Sequence, residues 1–238
     1  MVFPLYDDNP LGRARLPVVT WGLMAINIAV FLVMSASDEA RQIAIIRGYG
    51  VVPEALVHSL ANRDAWSLLT VVTSMFVHAG WVHLVGNMVY LWVFGDDIED
   101  ALGRLRFLVF YLLSGIAAVL AFVALTPVTS VPLVGASGAI SGVLAAYLML
   151  RPCAKVAVFV LRAVVRVPAW LVIGAWAAFQ LFNFIGSPGD DVAYVAHLGG
   201  LVAGALLFWV LRPPGVTLFQ CTTANPVRDG TGRENNVQ

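Results

Sequence analysis

Residues 65–95 read AWSLLTVVTSMFVHAGWVHLVGNMVYLWVFG, 31 positions without one Asp, Glu, Lys or Arg. A helix crosses the roughly 30 Å hydrocarbon core of a bilayer in about 20 apolar residues, so this stretch is too long for one untilted crossing. It is interrupted at Ala79-Gly80. The reading is a re-entrant or interfacial approach, then a helix starting near Trp81. Non-helical backbone at that depth must be covered by protein or water, because lipid cannot satisfy its amides. Irregular backbone beside polar side chains there marks a candidate site.

Working outward, five more stretches are long and apolar enough to span: Val18–Ser37, Phe107–Leu125, Val131–Leu150, Val167–Gly189 and Val192–Leu211. The composition agrees. Of 238 residues, 60% are hydrophobic and 12% charged, whereas a soluble domain carries about a quarter charged. That excludes a free-standing soluble protein. The 14 basic and 14 acidic residues cancel, leaving no basic stripe for nucleic acid. Cys153 and Cys221 alone make neither a disulfide framework nor a zinc site. The expected fold is an all-α polytopic membrane protein, a six-transmembrane-helix bundle with a re-entrant or interfacial first external loop. No cofactor and no metal is expected.

Basic residues orient such a bundle. With the N-terminus cytoplasmic, eleven of them fall inside (Arg13, Arg15, Arg104, Arg106, Arg151, Lys155, Arg162, Arg166, Arg212, Arg228, Arg233) and three outside (Arg41, Arg47, Arg63). Both cysteines then lie on the reducing side and are expected as free thiols. The organisation is a cytoplasmic N-terminus over 1–16, a core over 17–212 with its external loop at 38–80, and a flexible cytoplasmic tail over 213–238. The long first loop, with Gly48, Gly50 and Pro53, reads as short amphipathic pieces on the outer leaflet. Lacking an Arg/Ser-rich transit segment, the chain is expected in a bacterial plasma membrane. Asp96, Asp97, Glu99 and Asp100 read as the solvated end of the second helix.

Polar groups at membrane depth are costly and mark function by default. Three clusters stand out: His78 to Asn87, with His83; Gly135-Ala136-Ser137-Gly138 to Gly142; and Ala196-His197 to Gly204. Ser137 lies 13 residues before Leu150, His197 14 before Leu211, and His83 11 before Phe94. At ~1.5 Å per residue, all sit roughly 17–21 Å above the inner edge. Three polar clusters therefore share one level.

Gly138 and Gly142 are four apart, as are Gly200 and Gly204, and such faces let helices touch. If these two faces meet, the Ser137 hydroxyl reaches the His197 imidazole, a nucleophile and its general base. His83 and Asn87 share a helix face, about 40° apart, and can donate to a developing oxyanion with the Ser137 amide. His78 would tie down the loop that precedes the helix. Singly, each residue has a blander account. Ser137 could be a small residue at a helix crossing, and Ser141 a hydroxyl bonded back to its own helix. His197 could make a structural hydrogen bond, carry protons or ligate metal. Trp170, Trp176, Phe179, Phe182 and Phe184 read as lipid-facing bulk. Asp190 or Asp191 could orient His197 as a third member.

From about Arg15 to Arg212 the chain resembles the rhomboid intramembrane serine proteases. The resemblance rests on His78-x4-His83-x3-Asn87, Gly135-x-Ser137-Gly138 and Ala196-His197-x-Gly199-Gly200, with Gly95-x3-Glu99 and the long first loop in support. It implies a Ser137–His197 dyad without an acidic third member, oxyanion donors at His83 and Asn87, and a water-filled cavity. The implied substrates are transmembrane helices, admitted sideways past the fifth helix and cleaved where they unwind. Two positions depart from the pattern. Ser141 stands where some members stack a tyrosine on the histidine, leaving Tyr194 or Tyr147 to hold the ring, and Gly86 replaces an aromatic. The alternative is a catalytically silent rhomboid-like protein that binds transmembrane clients. A transporter would favour an intramembrane carboxylate and internal repeats, which the spans lack.

Overall fold

The computed structural model describes residues 3–8, 16–62, 65–160, 163–186 and 193–221. Strand β1 (Phe3–Asp7) precedes helix α1 (Val18–Ser35). The segment that follows holds α2 (Glu39–Tyr49), α3 (Pro53–Asn62) and α4 (Ala65–Thr73), then a 3₁₀ turn at Ser74–Phe76. Next come α5 (Trp81–Leu102), α6 (Arg104–Leu125) and α7 (Ser137–Leu150). The hairpin β2 (Lys155–Val160) and β3 (Ala163–Pro168) leads to α8 (Ala169–Gly186) and α9 (Ala193–Leu211). Among the described residues, α1, α6, α8 and α9 are long and apolar enough to cross a membrane. The 65–102 stretch bends by 76° at its break, at the Ala79-Gly80 interruption. The chain is an integral membrane protein built of apolar helices.

Helix α7 is the centre of the bundle, with Ala139, Ile140, Val143, Leu144 and Tyr147 all buried. At 14 residues it is only about 21 Å long. The apolar stretch from Val131 is not helical throughout, as the span reading required. Pro132 lacks an amide for the first turns, and Gly135 sits at φ +116°, so the helix begins at Ser137. Ahead of it, Leu133 exchanges backbone hydrogen bonds with Val51 (3.0 and 2.8 Å), and the Gly135 amide donates to the Ser74 carbonyl at 2.8 Å. The loop between α1 and α5 is thereby fastened to the approach to α7.

The two glycine faces meet. A Cβ on Gly200 would stand 2.1 Å from the Gly138 carbonyl oxygen, and one on Gly204 would stand 2.2 Å from the Gly142 Cα. On its other side α7 meets α6, where a Cβ on Gly138 would fall 2.5 Å from that of Ala118. Backbone-to-backbone approach of this kind requires residues without side chains.

Three sequence expectations are corrected. Asp97 and Glu99 are not solvated; they are 3% and 4% exposed, and Glu99 accepts hydrogen bonds from the start of α1. Cys153 and Cys221 are not free thiols but form a disulfide, with Cα atoms 4.8 Å apart. The tail leaves α9 and returns: the Phe219 and Gln220 amides donate to the Met149 and Leu150 carbonyls at 2.7 and 3.0 Å, which brings Cys221 to Cys153. Read as flexible from 213, the tail thus follows a defined path as far as Cys221. Residues 222–238 lie outside the described residues.

An antiparallel sheet of order β1-β2-β3 was also not anticipated. Its signal was present: Lys155–Val160 and Ala163–Pro168 are Val-rich runs of strand length.

Candidate active site

Ser137 opens α7, with Ala136 as its N-cap. The first intrahelical amide bond runs from Ile140 to Ala136, so the amides of Ser137, Gly138 and Ala139 have no partner within the helix. The positive end of the helix dipole thus surrounds the serine. Its Oγ lies 2.8 Å from Nε2 of His197 on α9. The glycine seam is what brings these side chains together. Ser141, one turn below, donates to the Ser137 carbonyl at 2.6 Å, occupied with its own helix as read.

A cavity of about 680 Å³ opens over this pair, bordered by Gly80, His83, Asn87, Tyr90, Trp176 and His197. Gly135 forms the wall opposite α5: a Cβ there would stand 2.5 Å from His83 Nε2 and 3.7 Å from Asn87 Nδ2. Both α5 side chains therefore aim at the turn that carries Ser137. The Asn87 amide group donates to the His83 carbonyl at 3.0 Å. An NH₂ group has a second hydrogen, which remains for the cavity. An oxygen held above Ser137 would meet these donors and the free α7 amides.

His78 lies at the end of the loop that precedes α5. It is fully buried, and its ring packs edge-on against that of His83 at 5.1 Å. Neither tyrosine suggested for the His197 ring holds it. Tyr147 donates its hydroxyl to Asp7, and Tyr194 packs against Phe179 at 6.4 Å. Asp190 and Asp191 lie outside the described residues.

Two residues of α8 touch the His197 ring instead. Gln180 places Oε1 2.8 Å from Nδ1, and the Trp176 ring lies 5.7 Å from the imidazole, centroid to centroid. Trp176 consequently faces the cavity rather than lipid. Gln180 escaped the sequence reading, although the signal was there. An amide eleven residues into an apolar helix lies ~16 Å along it, the level of the other polar clusters.

The Rhomboid domain family matches residues 64–214, more than half of the chain. Rhomboid protease AarA of Providencia stuartii is 28% identical over 210-odd positions, covering 79% of this chain and 70% of that protein. Rhomboid protease GluP of Bacillus subtilis is 28% identical over 203 residues, 85% of this chain and 36% of GluP. Rhomboid protein 1, mitochondrial, of Saccharomyces cerevisiae is 34% identical over 164 residues. The chain spans less than half the length of the latter two relatives. With its helical membrane fold, the chain belongs to the Rhomboid family.

Proposed function

We propose that this chain is an intramembrane serine endopeptidase that cleaves transmembrane segments of other membrane proteins through an acyl-enzyme. The observation that carries the reading is the 2.8 Å contact between Ser137 Oγ and His197 Nε2 inside a cavity that His83 and Asn87 also line. In this mechanism Nε2 takes the hydroxyl proton as Oγ attacks the scissile carbonyl. The resulting oxyanion is met by the Ser137 amide, His83 and Asn87. Collapse of the tetrahedral intermediate breaks the C–N bond, and His197 returns its proton to the leaving amine. Water from the cavity then attacks the ester with His197 again as base, releasing the acid and restoring the serine.

A helical substrate hides its carbonyls in its own hydrogen bonds, so the substrate must unwind at the cleaved bond. Segments with Gly or Pro near that bond are preferred for this reason. The basic-residue count favours an orientation with the sheet end of the bundle in the cytoplasm.

The test is cleavage of a generic transmembrane substrate by the full chain in detergent, beside Ser137→Ala and His197→Ala. Parent activity should vanish in both variants. Cleavage that survives Ser137→Ala removes Ser137 as nucleophile. A folded parent that neither cleaves nor reacts with a fluorophosphonate at Ser137 is instead a client-binding protein.

A further inference from the structure

We propose that Gln180 is a positioning residue that sets the tautomer of His197, making an uncharged Ser137–His197–Gln180 relay whose third member is carried by α8. This rests on the reading of Ser137 and His197 as nucleophile and base. A serine's base needs Nε2 unprotonated, so the ring proton must sit on Nδ1. Free imidazole has no strong reason to keep it there. In soluble triads a carboxylate accepts the Nδ1 hydrogen, and loss of that acceptor is costly because the wrong tautomer takes over.

Here the acceptor is the Gln180 carbonyl oxygen at 2.8 Å, on a side chain only 4% exposed. In that arrangement Nδ1–H donates to Oε1, and Nε2 presents its lone pair to the Ser137 hydroxyl. An amide suits this place better than an acid. A buried carboxylate at membrane depth would carry a large desolvation cost, whereas a neutral acceptor fixes the tautomer without it.

The same helix restrains the ring in a second way. Trp176 and Gln180 are four residues apart on α8, hence on one face, and the Trp176 ring packs on the imidazole at 5.7 Å. This tilted ring contact and the hydrogen bond together replace the ring contact that Ser141 on α7 cannot make. Helix α8 is also the least covered of the four long apolar helices, with 22% of its apolar window buried, against 44% for α6. The base is therefore oriented from the least buried of these four helices. Displacement of α8 would release both the tautomer and the ring together.

The experiment compares the full-length parent with Gln180→Met, which keeps length and burial but lacks an acceptor, and Gln180→Glu, which restores one. Imidazole ¹⁵N shifts of detergent-solubilised, histidine-labelled protein report the tautomer without any substrate, with His197→Ala assigning the signal. The parent should show His197 as Nδ1–H, and Gln180→Met should convert it towards Nε2–H. With a transmembrane substrate, Gln180→Met should lower kcat about ten- to a hundredfold with KM within about twofold, since only the step needing Nε2 is affected. Gln180→Glu should recover much of kcat. It should also move the acid limb of the pH profile to higher pH, because a carboxylate stabilises the imidazolium; His83 and Tyr90 on α5, the other titratable side chains lining this cavity, are unchanged throughout.

A parent ring found as Nε2–H overturns the proposal whatever the activity. So does a Gln180→Met protein with parental kcat and pH profile while Ser137→Ala is dead, and in that case the dyad itself stands. If Ser137→Ala cleaves as the parent does, the assignment of Ser137 as nucleophile fails instead, and the ¹⁵N result still decides the role of Gln180.

Discussion

Glu99 of α5 caps α1 at Thr20. Its Oε2 accepts from the Thr20 amide at 2.7 Å and the Thr20 hydroxyl at 2.8 Å, while Oε1 accepts from the Val19 amide at 3.0 Å. Helix α1 starts without a side-chain cap of its own. A carboxylate from another helix thus satisfies two of its free amides and meets its dipole. Glu99→Gln keeps one acceptor oxygen and loses the charge. It should cost about 1–3 kcal/mol of stability, read as a lower thermal midpoint in detergent. Turnover at low temperature should be near parental, because Glu99 lies sixteen residues along α5 from His83. An unchanged midpoint would show that the cap contributes nothing.

Gly135 has a left-handed φ of +116° and no room for a Cβ beside His83 Nε2. Gly135→Ala strains the turn before Ser137 and pushes His83 away from it. The expected result is a turnover loss of about a hundredfold, the scale of losing one oxyanion donor. Gly174→Ala, which meets open space, is the matched control and should leave turnover as it is. Equal activity in the two variants would remove His83 from the proposed chemistry.

The Tyr147 hydroxyl donates to the Asp7 carboxylate, joining β1 to α7. Burial holds the Asp7 carboxyl above its usual range, opposed by hydrogen bonds from Tyr147 and Asp97 and by the charge of Arg151. A carboxyl with a higher pKa folded than unfolded binds its proton more tightly when β1 is docked. Docking is then strongest in acid and weakens as the pH rises through the folded pKa. Hydrogen exchange along the β1–β2 ladder, corrected for intrinsic pH dependence, should show protection falling with pH in the parent. Asp7→Asn should flatten that dependence. Identical profiles would mean that Asp7 does not govern the docking.

Cys153 and Cys221 are bonded and exposed. Alkylation of the purified chain should therefore label neither before reduction and both after it. Labelling of both thiols without prior reduction would place the tail free of α7. In the orientation favoured by the basic residues this bond faces a reducing compartment, so the same alkylation on intact cells reports whether it is kept there.

Much of this protein is written in local sequence. Apolar runs of membrane length need no partner to be recognised, since the bilayer acts on each one separately. The break before Trp81 and the glycine faces of α7 and α9 are legible for the same reason, because backbone freedom and missing side chains are properties of single residues. Counting residues to the end of each run even put Ser137, His197 and His83 at one depth.

Other features were decided only by what tertiary packing set beside each residue. Glu99 and Asp97 look like a solvated helix end until α1 is laid against them. Cys153 and Cys221 are 68 residues apart, and no local rule brings the tail back to α7. The pairing of β1 with β2 joins segments about 150 residues apart in the chain. Gln180 is an ordinary amide in an apolar helix until folding aims it at His197. Depth along a helix follows from residue count alone, but the direction a side chain faces and the partner it meets depend on how helices rotate and pack against one another.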